Sequence, residues 1–188
     1  KRNEVMHEMK IFIAGAKTIT SIDELPKQRI ISICHKGFEI LVGDCTGVDS
    51  AVQKECLSLM YRDVVVYASN GYARNNLGLW PVKAIQVPPN VKGFNFYEQK
   101  DIAMADDADY GFMIWDGASR GTLNNLVNLA VRGKSSLVYL HPIKKMVCLK
   151  NLDDLDALVS KCPTKTRQLY QRAVSAQHTN SQLSVFVQ

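Results

Sequence analysis

The chain of 188 residues is 46% hydrophobic and 22% charged, with a formal net charge of +5. That size and balance fit one globular domain with a full core, followed by a tail. No apolar run approaches the ~20 residues of a membrane span, so no membrane partner is expected. Five scattered cysteines without a CxxC pair indicate neither a disulfide framework nor a zinc site.

The opening stretch, KRNEVMHEMK, is charged and has no apolar segment. It is not expected to be a secretory signal, and Met6 or Met9 is the expected natural start. With Cys34, Cys45, Cys56, Cys148 and Cys162 expected to stay free, the expected compartment is the reducing cytoplasm. The charge is uneven along the chain. Lys161, Lys165, Arg167 and Arg172 stand between residue 161 and the end with no acid among them, leaving 19 basic and 18 acidic residues before them. The domain, residues 9–162, is therefore near neutral, and residues 163–188 read as a basic tail, partly helical or mobile. Such a tail can touch phosphates nonspecifically but is more commonly a solvated end.

Lys10–Gly15, KIFIAG, is a short apolar run ending in glycine and is predicted to be a buried strand. Asp23–His35 is predicted to be a helix stopped at Gly37. Phe38–Asp44 is the second strand. Gly47–Met60 is a helix with Val48, Ala51, Val52, Cys56 and Leu59 on one side. Asp63–Ala68, with three consecutive valines, is the third strand. Ser69–Asn95 is rich in glycine, proline and asparagine and weakly periodic, and a stretch this long without structure is usually functional or disordered. Phe96–Ala108 is helical, and Asp109–Asp116 is the fourth strand. Thr122–Lys134 is a helix with Leu123, Leu126, Val127 and Ala130 inward. Ser135–Pro142 is the fifth strand, KMVCLKN a short extra one, and Leu152–Cys162 a closing helix. Uniformly apolar strands alternating with helices call for an α/β fold: a Rossmann-like, doubly wound, mainly parallel sheet of five to six strands with helices on both faces.

Ligands of such sheets bind at the carboxyl ends of the strands, near the topological switch point. The first, second and fourth strands end in AGAKT, GDCTGVDS and WDGASRGT. All three segments are small, polar and glycine-bearing, and two lead into helices whose N-termini favour anions. The expected binding residues are Gly15, Ala16, Lys17, Gly43, Asp44, Thr46, Gly47, Asp49, Asp116, Gly117, Ser119, Arg120, Gly121, Thr122 and Asn125. Lys17 and Arg120 would supply compensating charge. Thr46 and Asp49 are equally candidates to cap the second helix, and Ser119 the fourth. Asp44 and Asp116 are candidates for ribose hydroxyls or for capping backbone amides. Tyr72 and Trp80 are candidates for stacking on a base or for core packing.

No Walker lysine motif or GxGxxG follows any strand, so an ordinary NTPase or dinucleotide enzyme is a poor reading, and no cofactor or metal is expected. His7, His35, His141 and His178 lie far apart and near no obvious nucleophile. His35 suits the end of a helix, and His141 is a weak candidate.

KIFIAGAKTI, ILVGDCTGVDSAVQ and KDIAMADDADYGFMIWDGASRGTLNNLVNLAVRGK, in this order and spacing, resemble the SLOG superfamily, which includes the Lonely Guy phosphoribohydrolases and the DNA-processing protein A family. The resemblance covers about Met9–Pro142. It implies a Rossmann-like fold with phosphate and ribose of a nucleotide over Gly15, Gly43–Gly47 and Gly117–Thr122. Some members cleave the N-glycosidic bond of nucleoside monophosphates, some sense nucleotide signals, and some bind single-stranded DNA. The phosphoribohydrolases carry a glutamate three residues after the threonine of their glycine loop, where this chain has Asn125. Asparagine cannot act as a base or stabilise a cation by charge. The first expectation is therefore a sensor or ligand-binding module for a nucleotide or nucleotide-derived small molecule. The alternatives are an N-glycosidic hydrolase or transferase, with Asp116 as its catalytic carboxylate, and a single-stranded DNA binder. A homo-oligomer is also expected.

Overall fold

The computed structural model describes residues 8–186, with the backbone alone for residues 180–186. The expectations placed on the opening stretch, including Met6 and His7, lie outside the described residues.

The elements in chain order are β1 (Lys10–Gly15), α1 (Glu24–His35), β2 (Glu39–Gly43), α2 (Val48–Ser58), β3 (Val64–Ser69), β4 (Val82–Ile85), α3 (Phe94–Asp107), β5 (Tyr110–Trp115), α4 (Arg120–Val131), β6 (Ser136–Leu140), β7 (Lys145–Leu149), α5 (Leu152–Val159) and α6 (Thr164–Phe186). They form an α/β, Rossmann-like architecture. One seven-stranded sheet has the order β4-β3-β2-β1-β5-β6-β7 and is parallel except for β7, which runs antiparallel to β6.

Alternate residues of each central strand enter two separate cores, which is why the strands are apolar throughout. Ile11 and Ile13 of β1 face Ile30 and Ile33 of α1 and Val48, Val52 and Cys56 of α2. Phe12 and Ala14 face the other way, toward Met104 and Ala105 of α3, Leu123 and Leu126 of α4, and Leu155 and Val159 of α5. From β1 the chain builds outward through β2, β3 and β4. Helix α3 then carries it back across the sheet to β5, on the other flank of β1. The order reverses between β1 and β5, so this pair frames the switch-point crevice. Their register sets Gly15 opposite Ile114 at the carboxyl edge.

Seven strands replace the expected five to six. The extra one, β4, lies inside the stretch read as irregular. It is an edge strand with Val82, Lys83 and Ala84 exposed and only β3 as partner, so it carries no apolar run to betray it. The chain from Thr164 to Phe186 is one continuous 23-residue helix, in place of the partly helical or mobile tail expected. Its Tyr170 is buried in the same core as α3 and α4, with Leu169, Ala173 and Val174 packed against that core. No described helix is long and apolar enough to cross a membrane.

Candidate functional site

The loops after β1, β2 and β5 are stitched together by their backbones. The Ala16 N–H donates to the Ile114 carbonyl at 3.1 Å, and the Val48 N–H to the Ala16 carbonyl at 3.3 Å. Two glycines allow this closeness. A Cβ on Gly15 would stand 2.2 Å from the Ile114 carbonyl oxygen, and one on Gly47 2.4 Å from the backbone of Lys17. Gly47 also has φ +77°, in the left-handed region that suits glycine. The β5 loop is tied in through Asp116. Its Oδ1 accepts the Ala118 and Ser119 amides at 2.9 and 2.7 Å, and its Oδ2 accepts the Thr18 hydroxyl at 3.2 Å.

A cavity of about 580 Å³ opens over these loops, with α3 as its far wall. Phe94, Tyr97, Glu98 and Asp101 all line it, and their spacing of three and four residues is that of one helix face. Arg74 stacks its guanidinium 4.3 Å from the Tyr97 ring centroid, and Arg120 lies 3.9 Å from that of Phe94. Both rings are partly exposed at the cavity, so the rim combines aromatic faces with cations.

Beneath lies a group of buried charges. Lys100 is buried, and its ammonium meets Asp101 at 2.5 Å. Burial works against that charge, but Asp101 and Asp49 outweigh it and push the ammonium pKa up. Asp49 accepts the Cys45 N–H at 3.1 Å, and burial pushes its carboxyl up to about 6, against the pull of Lys100. Asp44 is opposite in sign. Burial raises it, but Arg74 donates its backbone N–H and two guanidinium N–H groups, at 3.0, 3.0 and 2.7 Å, and these hold the carboxyl below its ordinary value.

Of the expected residues, Gly15, Lys17, Asp49, Asp116, Ser119, Gly121, Thr122 and Asn125 line this one cavity. Asn125 is buried, and its Oδ1 has no hydrogen-bond partner. Ala16, Gly43, Asp44, Thr46, Gly47, Gly117 and Arg120 are not among the lining residues. Ala16 is buried, Asp44 is occupied by Arg74, and Arg120 lies on Phe94. Neither Thr46 nor Asp49 is the N-cap of α2, which is Gly47. Ser119 is the N-cap of α4, yet it makes no side-chain cap bond. Trp80 packs in the core with its indole N–H on the Tyr61 carbonyl, and Tyr72 is 85% exposed, away from the cavity. The aromatics at the site are Phe94 and Tyr97 instead. The sequence reading also missed Arg74, Glu98, Lys100 and Asp101. A signal existed for Lys100, a charged residue four positions before Met104 on the inward stripe of α3.

His141 contacts Asp23 at 3.2 Å and, like Tyr139 and Lys144, is gathered on that carboxylate outside the cavity lining. Among the described residues, no group of three or more histidines, cysteines, aspartates or glutamates is arranged to hold a metal ion.

Fold and crevice together define the class: a Rossmann-like α/β domain with its cleft at the carboxyl edge of the sheet. The architecture is similar to that of DNA processing protein A from Helicobacter pylori, a structure described for its unique mode of binding single-stranded DNA. The TM-score is 0.55 with 14% sequence identity, over 89% of this chain and 81% of that one, a likeness of fold. No protein-family model and no curated protein sequence matches the chain.

Proposed function

We propose that the protein binds a nucleotide or nucleotide-derived molecule in the carboxyl-edge cavity, as a sensor or ligand-binding module. One observation carries this reading: Gly15, Lys17 and the first turn of α4 converge on a single cavity at the β1/β5 switch point. Helix α4 begins without a side-chain cap, so an oxyanion at Gly121 and Thr122 would meet free amides and the positive end of the helix dipole. Exposed Lys17 adds charge. The cavity, about 580 Å³, falls in the range of small-molecule sites. Phe94 and Tyr97, each with an arginine stacked on it, add aromatic surface for a planar base to pack against. Asn125 in place of a glutamate, and an Asp116 already engaged by two amides and a hydroxyl, favour binding over bond cleavage.

Calorimetry against nucleoside monophosphates, cyclic dinucleotides and ADP-ribose tests this. At least one is expected to bind, and Lys17→Ala is expected to weaken it by about three- to tenfold, the usual worth of an exposed charge-assisted contact. No binding by any of them at millimolar concentration would overturn the proposal. Free base released during the incubation would instead mark an N-glycosidic enzyme with Asp116 as its carboxylate.

A second reading, single-stranded DNA binding, is favoured by the fold likeness to DNA processing protein A and by the arginine-stacked aromatics at the cavity rim. Such platforms suit the bases of a flexible strand. A short oligodeoxynucleotide in the same titration separates the two readings, because DNA affinity would fall steeply with salt.

A further inference from the structure

The loop that opens α4 is held from outside by the helix that reads, in sequence, as a tail. Thr166, in the first turn of α6, is 2% exposed, and its hydroxyl donates to the Gly117 carbonyl oxygen at 2.8 Å, across 49 residues of chain. That oxygen and the Ala118 N–H belong to one rigid peptide plane. Asp116 Oδ1 holds the other edge of the same plane by accepting the Ala118 N–H at 2.9 Å, and it holds the Ser119 N–H at 2.7 Å. The peptide entering α4 is therefore clamped on both edges.

The outer clamp stands on a firm base. Leu169, Tyr170, Ala173 and Val174 seat α6 against the core beneath α4 and α5. Further along, Gln177 donates to Asn128 of α4 at 3.1 Å. Thr166 is thus a fixed post, and the Gly117 peptide takes its orientation from it.

We infer that Thr166 is a positioning residue: through the Gly117 carbonyl it sets the direction of the amides that open α4 onto the cavity. What those amides bind rests on the function proposed above; the clamp itself does not. Residues 163–186 are on this view part of the site's construction.

Hydrogen exchange on the ligand-free full chain tests it. In Thr166→Val, which keeps the shape and removes the hydroxyl, the Ala118 and Ser119 amides are expected to exchange about three- to tenfold faster, the effect of losing one buried hydrogen bond. Amides around Tyr170 should keep their rates. Thr166→Ser, which restores the hydroxyl, should exchange within about twofold of the parent chain. Unchanged loop exchange in Thr166→Val, a serine variant indistinguishable from the valine one, or acceleration spread evenly over α4 and α6 would each overturn the inference. If Thr166→Val does not fold, Thr166→Ala replaces it against the same serine control. A monophosphate that binds the parent chain should bind Thr166→Val several-fold more weakly. If no nucleotide binds the parent chain, the proposed function fails, and the exchange rates still decide the role of Thr166.

Discussion

Asp44, just after β2, and Asp49, in the first turn of α2, lie five positions apart, and their surroundings drive their carboxyls in opposite directions. Three N–H groups of Arg74 hold Asp44 below its ordinary pKa, so its contribution to stability is present above about pH 4 and lost as pH falls further. Asp49 has one amide and a distant share of Lys100 against full burial, and its carboxyl rises to about 6. At Asp49 the folded chain therefore binds more of a proton than the unfolded chain between about pH 4 and 6. Asp49 is most favourable to folding below its unfolded value, and that advantage disappears as pH rises through 6. Replacing it by asparagine should gain on the parent chain as pH rises from 4.5 to 7, by on the order of 2 kcal/mol. Urea unfolding at both pH values measures this, and a stability difference independent of pH would contradict it. At this scale the sequence told only part. An aspartate after an apolar strand is visibly costly and so visibly in need of a partner. That the partner of Asp44 is Arg74, thirty residues on in an aperiodic stretch, is a matter of three-dimensional proximity.

At the scale of elements, the central strands and their helices were readable because each strand is buried on both faces and each helix on one. The stretch from Ser69 to Asn95 was not, and the reason is how it is held. Its order comes from side chains bonding to backbone. Gln53 of α2, fully buried, donates to the Gly43 and Asn75 carbonyls at 3.0 and 3.1 Å and accepts the Leu77 N–H at 2.9 Å. Asn76 closes a turn onto Trp80, and Asn70 accepts the Val87 N–H at 2.8 Å. None of these ties has a hydrophobic period. They also place Arg74, which starts within this stretch and ends against Asp44 and Tyr97. Gln53→Leu would remove the side-chain partner of the Gly43 and Asn75 carbonyls and of the Leu77 N–H, and an overall loss of about 2–5 kcal/mol is expected. Thermal unfolding would report it, and exchange of the Leu77 amide would rise first. A leucine variant as stable as the parent would mean that the loop is ordered by packing alone.

For the molecule as a whole, the decisive element is α6. Composition marks it as basic and acid-free, which suits a solvated end, yet one face of it closes the core over α4 and α5 while the cations point elsewhere. Tyr170→Ala is expected to cost about 3 kcal/mol, as for a large aromatic removed from a core. A mobile tail would tolerate the change at no cost, so the midpoint of a denaturant titration separates the two pictures. By itself the sequence determined the alternation of strands and helices, the mainly parallel sheet, the sheet edge at which a cavity opens, and about half of the residues lining that cavity. These follow from local patterns, since apolar runs, glycine turns and helix starts are written in contiguous residues. Tertiary structure alone decided that α3 supplies the opposite wall, that Arg74 and Arg120 lie on aromatic rings, and that α6 pins the loop before α4. Each of these depends on contacts between residues 23 to 49 positions apart, and no local period records which distant side chains the folded sheet brings together.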